Sequence, residues 1–173
     1  MTNYVLNNID LSKVLWLDSK VSQPWAGYLI GIDRTLRTIA ASMYFEHHGP
    51  GHTSGCTWDL FVDAQGRGVD ISSGPGPLWP KGVRRWRIAL SYRASLITAV
   101  SWSAPEKRDD DATDPELVEL AKKIAADLSP LIYMDQHELR ALEIPWDELQ
   151  GDANMRLDWS ETPNAFNLLF YEY

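Results

Sequence analysis

A strict alternation of side chains between residues 84 and 93 is the strongest constraint on how this chain folds. Large apolar side chains occupy one set of alternate positions: Trp86, Ile88, Leu90 and Tyr92. Arginines and small residues occupy the other set: Arg85, Arg87, Ala89, Ser91 and Arg93. Alternate residues of a strand point to opposite faces of a sheet, so this pattern predicts a half-buried β-strand with one face in water. Residues 96–102 are predicted to form its antiparallel neighbour.

The period of the pattern changes from two to 3.6 residues after residue 113. Thr113 and Glu116 have the spacing of a capping box, with Thr113 as the predicted N-cap. An apolar stripe at helical spacing follows: Leu117, Leu120, Ala121, Ile124, Ala125 and Leu128. Pro130 is expected to end this helix. A second short helix is predicted over 135–142, and one further turn over 145–150.

The remaining apolar segments are predicted to complete a sheet. They would form two hairpins and a last strand: 28–32 with 36–45, 57–62 with 68–71, and 166–171. Strands followed by helices, rather than alternating with them, indicate an α+β fold. We therefore expect an antiparallel β-sheet with strands mainly in 25–103 plus a C-terminal strand. Two or three helices from 114–150 would pack on one face of it.

Residues 1–173 are expected to form a single α+β domain. Its predicted parts are 1–103, mainly β, then 104–113, a charged connector, and 114–173, mainly helical with a final strand. A chain of 173 residues has the usual length of one domain and buries enough surface to be stable without a disulfide or metal.

The charge of the chain is unevenly distributed. The net charge is −8. Residues 1–103 hold 10 Lys/Arg against 7 Asp/Glu, which is +3, and residues 104–173 hold 6 against 17, which is −11. The acidic total argues against general nucleic-acid binding, which needs a basic surface. We interpret the acidic part either as a solvated helical surface or as a surface that meets a basic protein partner.

Cysteine content and hydropathy predict a cytoplasmic protein. Cys56 is the only cysteine, so no disulfide forms within the chain, and a lone thiol suits a reducing compartment. Residues 1–8 lack the basic stretch and the long apolar run of a signal peptide. No segment approaches 18 consecutive apolar residues, so no membrane partner is expected.

The densest polar cluster lies at residues 46–52. His47, His48 and His52 are three of the four histidines in the chain, and Cys56 follows them. Imidazole and thiolate groups are good zinc ligands, although the spacing matches no structural zinc site. We interpret the segment either as a surface loop or contact region, or as a metal or catalytic site. No cofactor is expected other than a metal at this loop.

Arg85, Arg87 and Arg93 form a basic stripe on one side of the predicted strand. Guanidinium groups suit carboxylates and phosphates. One interpretation is an anion-binding site, which together with exposed aromatic residues would serve a small-ligand or sugar binder. A second is that carboxylates from the C-terminal helices pair with these arginines, and a third is that the stripe is plain solvent-exposed sheet surface.

No motif specifies a catalytic chemistry, and no catalytic residue is predicted. The favoured hypothesis is a non-catalytic protein-binding module: a small acidic cytoplasmic inhibitor of the immunity-protein type, which neutralises a basic toxin or nucleic-acid enzyme. Its predicted contacts are carboxylates and tryptophans near turns and loops: Trp79, Asp109, Asp110, Asp111, Trp146, Asp147 and Glu148. The alternatives are an enzyme or metal-binding protein at the histidine loop and a ligand binder at the arginine stripe.

Overall fold

The fold is taken from a computed structural model that describes most of the chain. The described residues are 5–6, 9–10, 25–40, 43–47, 55–71, 80–91, 95–103, 114–144 and 164–170. The strands are β1 (Val5–Leu6), β2 (Ile9–Asp10), β3 (Tyr44–His47), β4 (Gly55–Val62), β5 (Arg84–Ser91), β6 (Leu96–Trp102) and β7 (Ile132–Tyr133). The helices are α1 (Trp25–Leu36), α2 (Pro115–Asp127), α3 (Gln136–Ala141) and α4 (Ala165–Phe170).

Five of the strands form one sheet in the order β3-β4-β5-β6-β7. Its first four strands are antiparallel, and β7 joins β6 in parallel. Strands β1 and β2 form a separate two-stranded ribbon. The predicted α+β class, an antiparallel sheet with helices packed against it, is confirmed.

Helices cover both faces of the five-stranded sheet. The face that carries Trp58 and Ile88, here called the first face, packs against α1 and α2. The opposite or second face carries Ala89 and Val100 and packs against α3 and α4. The sequence pattern suggested helices on one face and water on the other. In the structure Ala89 is buried and so is Ser91, because α4 crosses the second face at β4 and β5.

Residues 25–36 form helix α1, so the hairpin predicted for residues 28–45 is wrong at its first strand. Tyr28, Ile32 and Leu36 are buried and lie four residues apart, which places them on one side of a helix. The short apolar run at 28–32 fits a buried strand equally well by its local pattern. The second predicted strand, 36–45, is also mostly wrong: Leu36 ends α1, a turn follows it, and only Tyr44 and Phe45 belong to β3, which pairs with β4.

The C-terminal segment is also helical, although a strand was predicted over 166–171. Phe166 and Phe170 are buried at helical spacing against the second face. The backbone N–H of Asn167 donates to the side-chain oxygen of Asn164 at 3.0 Å, which caps the start of α4. The short apolar run that suggested a strand fits a helix equally well, and this cap and the contacts with α3 favour the helix.

Strands β4, β5 and β6 form where their patterns predicted them. The predicted strand at 68–71 does not form, although the Asp63 side chain accepts from the backbone N–H groups of Gln65 and Arg67 and closes the turn before it. Gly68 returns to Val62 only through an isolated bridge. The connector at 104–113 and the turn at 145–150 lie outside the described residues.

Helix α2 follows the predicted stripe, with Leu117, Ala121, Ile124 and Ala125 buried. Its N-cap is Asp114 rather than the predicted Thr113, and the Asp114 side chain accepts from the backbone N–H of Glu116 at 3.1 Å. Helix α3 forms within the predicted range 135–142 and is capped in the same way by Asp135. None of the helices within the described ranges is long and apolar enough to cross a membrane.

Asp114 also connects α2 to the sheet. Its carboxylate accepts from the Trp86 indole N–H at 2.8 Å and forms an ion pair with Arg84. Both partners lie on β5, so one buried carboxylate links the start of the helix to the strand beneath it. The cap therefore positions the helix as well as starting it.

We expect Asp114→Ala to lower the free energy of unfolding by about 2–4 kcal/mol, because it removes a helix cap and leaves the buried Trp86 N–H without its acceptor. Asp114→Asn keeps an acceptor and should cost less. Urea unfolding followed by tryptophan fluorescence measures both. Glu119→Ala, on the exposed side of the same helix, is the control and should change little. Equal losses for Asp114→Ala and this control would contradict the role of Asp114.

Candidate functional site

Two of the three predicted stripe arginines meet a single carboxylate on the second face of the sheet. Arg87 lies opposite Asp59 in the β4–β5 register, and its Nε and Nη2 donate to the two Asp59 oxygens at 2.8 and 3.0 Å. Arg85 reaches the same carboxylate from two residues away along β5. The alternation of β5 and the register with β4 together bring the three charges into contact.

Asp59, Arg85 and Arg87, together called the Asp59 cluster, are largely shielded from solvent. The Asp59 side chain is 0% exposed, and those of Arg85 and Arg87 are 18% and 13% exposed. Both guanidinium groups lie over the Trp102 ring, with their Cζ atoms 4.9 and 5.1 Å from its centroid. A buried carboxylate is tolerated only when cations and hydrogen bonds replace water. Each arginine therefore has a structural partner in the sheet itself.

Among the described residues, a carboxylate at the start of the helical part of the chain pairs with an arginine that is not one of the three in the stripe. Arg84, on the first face, pairs with Asp114 at the start of α2. Arg85 and Arg87 pair instead with Asp59 of the neighbouring strand, which the sequence did not indicate as their partner. Arg93 lies outside the described residues. An anion-binding role for the stripe stays a prediction, and any anion there would compete with Asp59.

The predicted histidine site falls mostly outside the described part of the chain. His47 ends β3 opposite the buried Cys56, whereas His48 and His52 are not among the described residues. Within the described ranges, no group of three or more His, Cys, Asp or Glu residues is placed to hold a metal ion. Metal binding at this loop stays a prediction.

The predicted partner contacts also lie in segments that the structure does not describe. They are Trp79, Asp109, Asp110, Asp111, Trp146, Asp147 and Glu148. Their part in binding stays a prediction. The described residues offer a different exposed surface, which the sequence pattern did not single out.

This surface is the edge formed by β3. Tyr44 and Phe45 are each 45% exposed, which is unusual for large hydrophobic residues within a sheet. The Phe45 ring packs against the buried Trp58 ring, with their centroids 5.2 Å apart. Tyr44 lies opposite Asp59 of the Asp59 cluster in the β3–β4 register. Sequence analysis placed both residues in a strand. Their exposure follows from the position of that strand at the edge of the sheet, which local patterning does not encode.

Two side chains outside these clusters have shifted pKa values. Burial raises the pKa of the Tyr133 phenol above its usual range, and the nearby Asp135 carboxylate adds to the shift. A backbone hydrogen bond from Arg67 lowers the pKa of the Asp63 carboxyl at the exposed loop after β4. Both shifts follow from structural contacts, and neither residue belongs to the Asp59 cluster or the β3 edge.

We expect Asp59→Ala to lower the free energy of unfolding by about 3–5 kcal/mol, because two arginines then share a buried site without a counter-charge. Formate should restore part of this stability by placing a carboxylate between the guanidinium groups. Thermal unfolding with and without formate measures the effect, with chloride at the same ionic strength as a reference.

Asp33→Ala is the matched control, since Asp33 pairs with Arg37 on the exposed side of α1. It should change stability little, and formate should affect it no more than the wild type. Equal effects of formate on the Asp59 and Asp33 variants would contradict a specific carboxylate site at the arginines.

Comparison with known proteins gives no match for this chain. No protein-family model, no curated protein and no solved structure is similar enough to assign it to a family. The geometry of the described residues is therefore the basis for a functional interpretation. It comprises a buried charge cluster within the sheet and an exposed aromatic edge beside it.

Proposed function

We propose that this chain is a non-catalytic binding protein, an acidic inhibitor of the immunity type that holds and neutralises a basic protein. The observation that carries the proposal is the exposure of Tyr44 and Phe45 on a sheet whose other large side chains are mostly buried. Adjacent exposed aromatic residues are common anchors of protein interfaces, since they bury a large area for little loss of conformational entropy.

The net charge supports a basic partner. A charge of −8 attracts a positively charged protein over a distance of about one Debye length, roughly 8–10 Å at physiological salt, and repels acidic ones. Such attraction mainly raises the rate of encounter and helps to exclude wrong partners. Close packing of aromatic side chains then lengthens the life of the complex.

The contacts of the sheet arginines also support binding at the edge rather than at the basic stripe. Arg85 and Arg87 are held by Asp59 and stacked on Trp102, so a ligand anion would have to displace an existing carboxylate. Displacing it would leave the Asp59 charge buried without its partners, which is costly. Burying the exposed Tyr44 and Phe45 side chains under a partner separates no buried ion pair and so avoids this cost.

Affinity capture of the tagged protein from lysate of its own cells tests the proposal. We expect one basic protein at one-to-one stoichiometry. The purified pair, measured by titration calorimetry, should bind at least about tenfold more weakly in 500 mM than in 50 mM salt, because salt screens the charge attraction.

Elemental analysis of the same captured sample supplies the opposing outcome. Close to one equivalent of zinc or another transition metal, with no protein partner, would contradict the proposal and direct attention to His47, His48 and His52. An acidic partner, or affinity that is independent of salt, would also contradict it. Free tag carried through the same capture is the control for nonspecific recovery.

A further inference from the structure

The two exposed aromatic residues of β3 have different neighbours, because successive residues of a strand point to opposite faces of the sheet. Tyr44 is opposite Asp59 on the second face, and Phe45 is opposite Trp58 on the first. Trp58 is 1% exposed and belongs to the core that residues of α1 and α2 complete. Phe45 therefore connects the exposed surface of β3 with the buried core of the first face.

The Phe45 ring lies against a side chain that has little freedom to move. Its centroid is 5.2 Å from that of the Trp58 ring, and the two ring planes are tilted by 49°. This distance is within the range that aromatic pairs prefer. Trp58 is among the largest fully buried side chains of the described residues, and close packing in an interior restricts such a ring. One side of Phe45 is thus supported, while the residue as a whole stays 45% exposed.

We infer that Trp58 is a positioning residue for the protein interface, which holds the Phe45 ring in the orientation that the basic partner binds. This inference rests on the proposed function. Trp58 is too deeply buried to contact the partner, so its effect would act through Phe45. An anchor that is already ordered in the free protein loses less conformational entropy when a partner covers it. Tyr44 lies on the other face and should not depend on Trp58.

A double-mutant cycle tests this role, with the basic protein recovered by affinity capture as the ligand in titration calorimetry. Trp58→Leu should weaken binding by about two- to tenfold, the size expected for the loss of an aromatic pair. It should weaken binding no further in the Phe45→Ala background, because the two residues act as one unit. In the Tyr44→Ala background it should retain its full effect. Independent, additive losses at Trp58 and Phe45 would overturn the inference.

Trp86→Leu is the matched control for general damage to the core. Trp86 is also a buried tryptophan of the first face, but it lies on β5, which does not pair with β3. Its substitution should leave binding within about twofold of the wild type. Trp58→Phe keeps an aromatic ring beneath Phe45 and should restore most of the affinity that Trp58→Leu loses. Equal losses for Trp58→Leu and Trp86→Leu would contradict a specific role of Trp58.

Nuclear magnetic resonance of the free wild-type protein provides a readout that depends neither on the variants folding nor on the partner. We expect nuclear Overhauser effects between the Phe45 and Trp58 rings, and side-chain couplings of Phe45 that report one dominant rotamer. Averaged couplings without contacts between the rings would show that Phe45 is not held before binding. That result would overturn the positioning role.

The remaining outcomes separate this inference from the proposed function. Failure to recover a basic protein would overturn the proposed function, and the inference with it. A recovered basic protein that binds Phe45→Ala as tightly as the wild type would remove Phe45 from the interface and overturn the role of Trp58. A partner that requires Phe45 but binds Trp58→Leu at full affinity would leave the proposed function standing and overturn the positioning role alone.

Discussion

The carboxylate of Asp59, fully buried in the middle of the sheet, is the group on which much of the structure depends. It needs both Arg85 and Arg87 beside it, and they in turn lie over Trp102 of the next strand. The cluster thereby links β4, β5 and β6 through side chains as well as through the backbone. A shift of β5 by one residue would turn both arginines to the other face and leave Asp59 without a counter-charge. The charge therefore favours one register over its neighbours.

Burial on both faces of the sheet limits where the described part of the chain can meet a partner. Helices α1 and α2 cover the first face, while α3 and α4 pack on the second, so the large exposed side chains of the sheet lie at its edges. The β3 edge carries two of them, Tyr44 and Phe45, next to each other. This placement connects the fold to the proposed function, because the same strand order that buries the centre of the sheet also exposes these aromatic residues.

Sequence reasoning succeeded where one pattern ran long enough to exclude the alternative. Strand β5 and helix α2 formed as predicted, since the alternation of β5 and the stripe from Leu117 to Leu128 each continue over seven or more residues. It failed at α1 and α4, whose short apolar runs fit either a strand or a helix. For α4 the contribution of Asn164 as a cap was missed, and for α2 the cap proved to be Asp114 instead of Thr113.

The sequence by itself determined the α+β class, the central strands, the main helix and the acidic charge, because each depends on neighbouring residues or on composition alone. The tertiary structure decided which of the described strands lies at the edge, that Asp59 of β4 pairs with Arg85 and Arg87, and that helices cover both faces. These features arise from pairing between segments far apart in the chain. Local periodicity predicts whether a side chain is buried or exposed, but it does not predict which distant group will pack against that side chain.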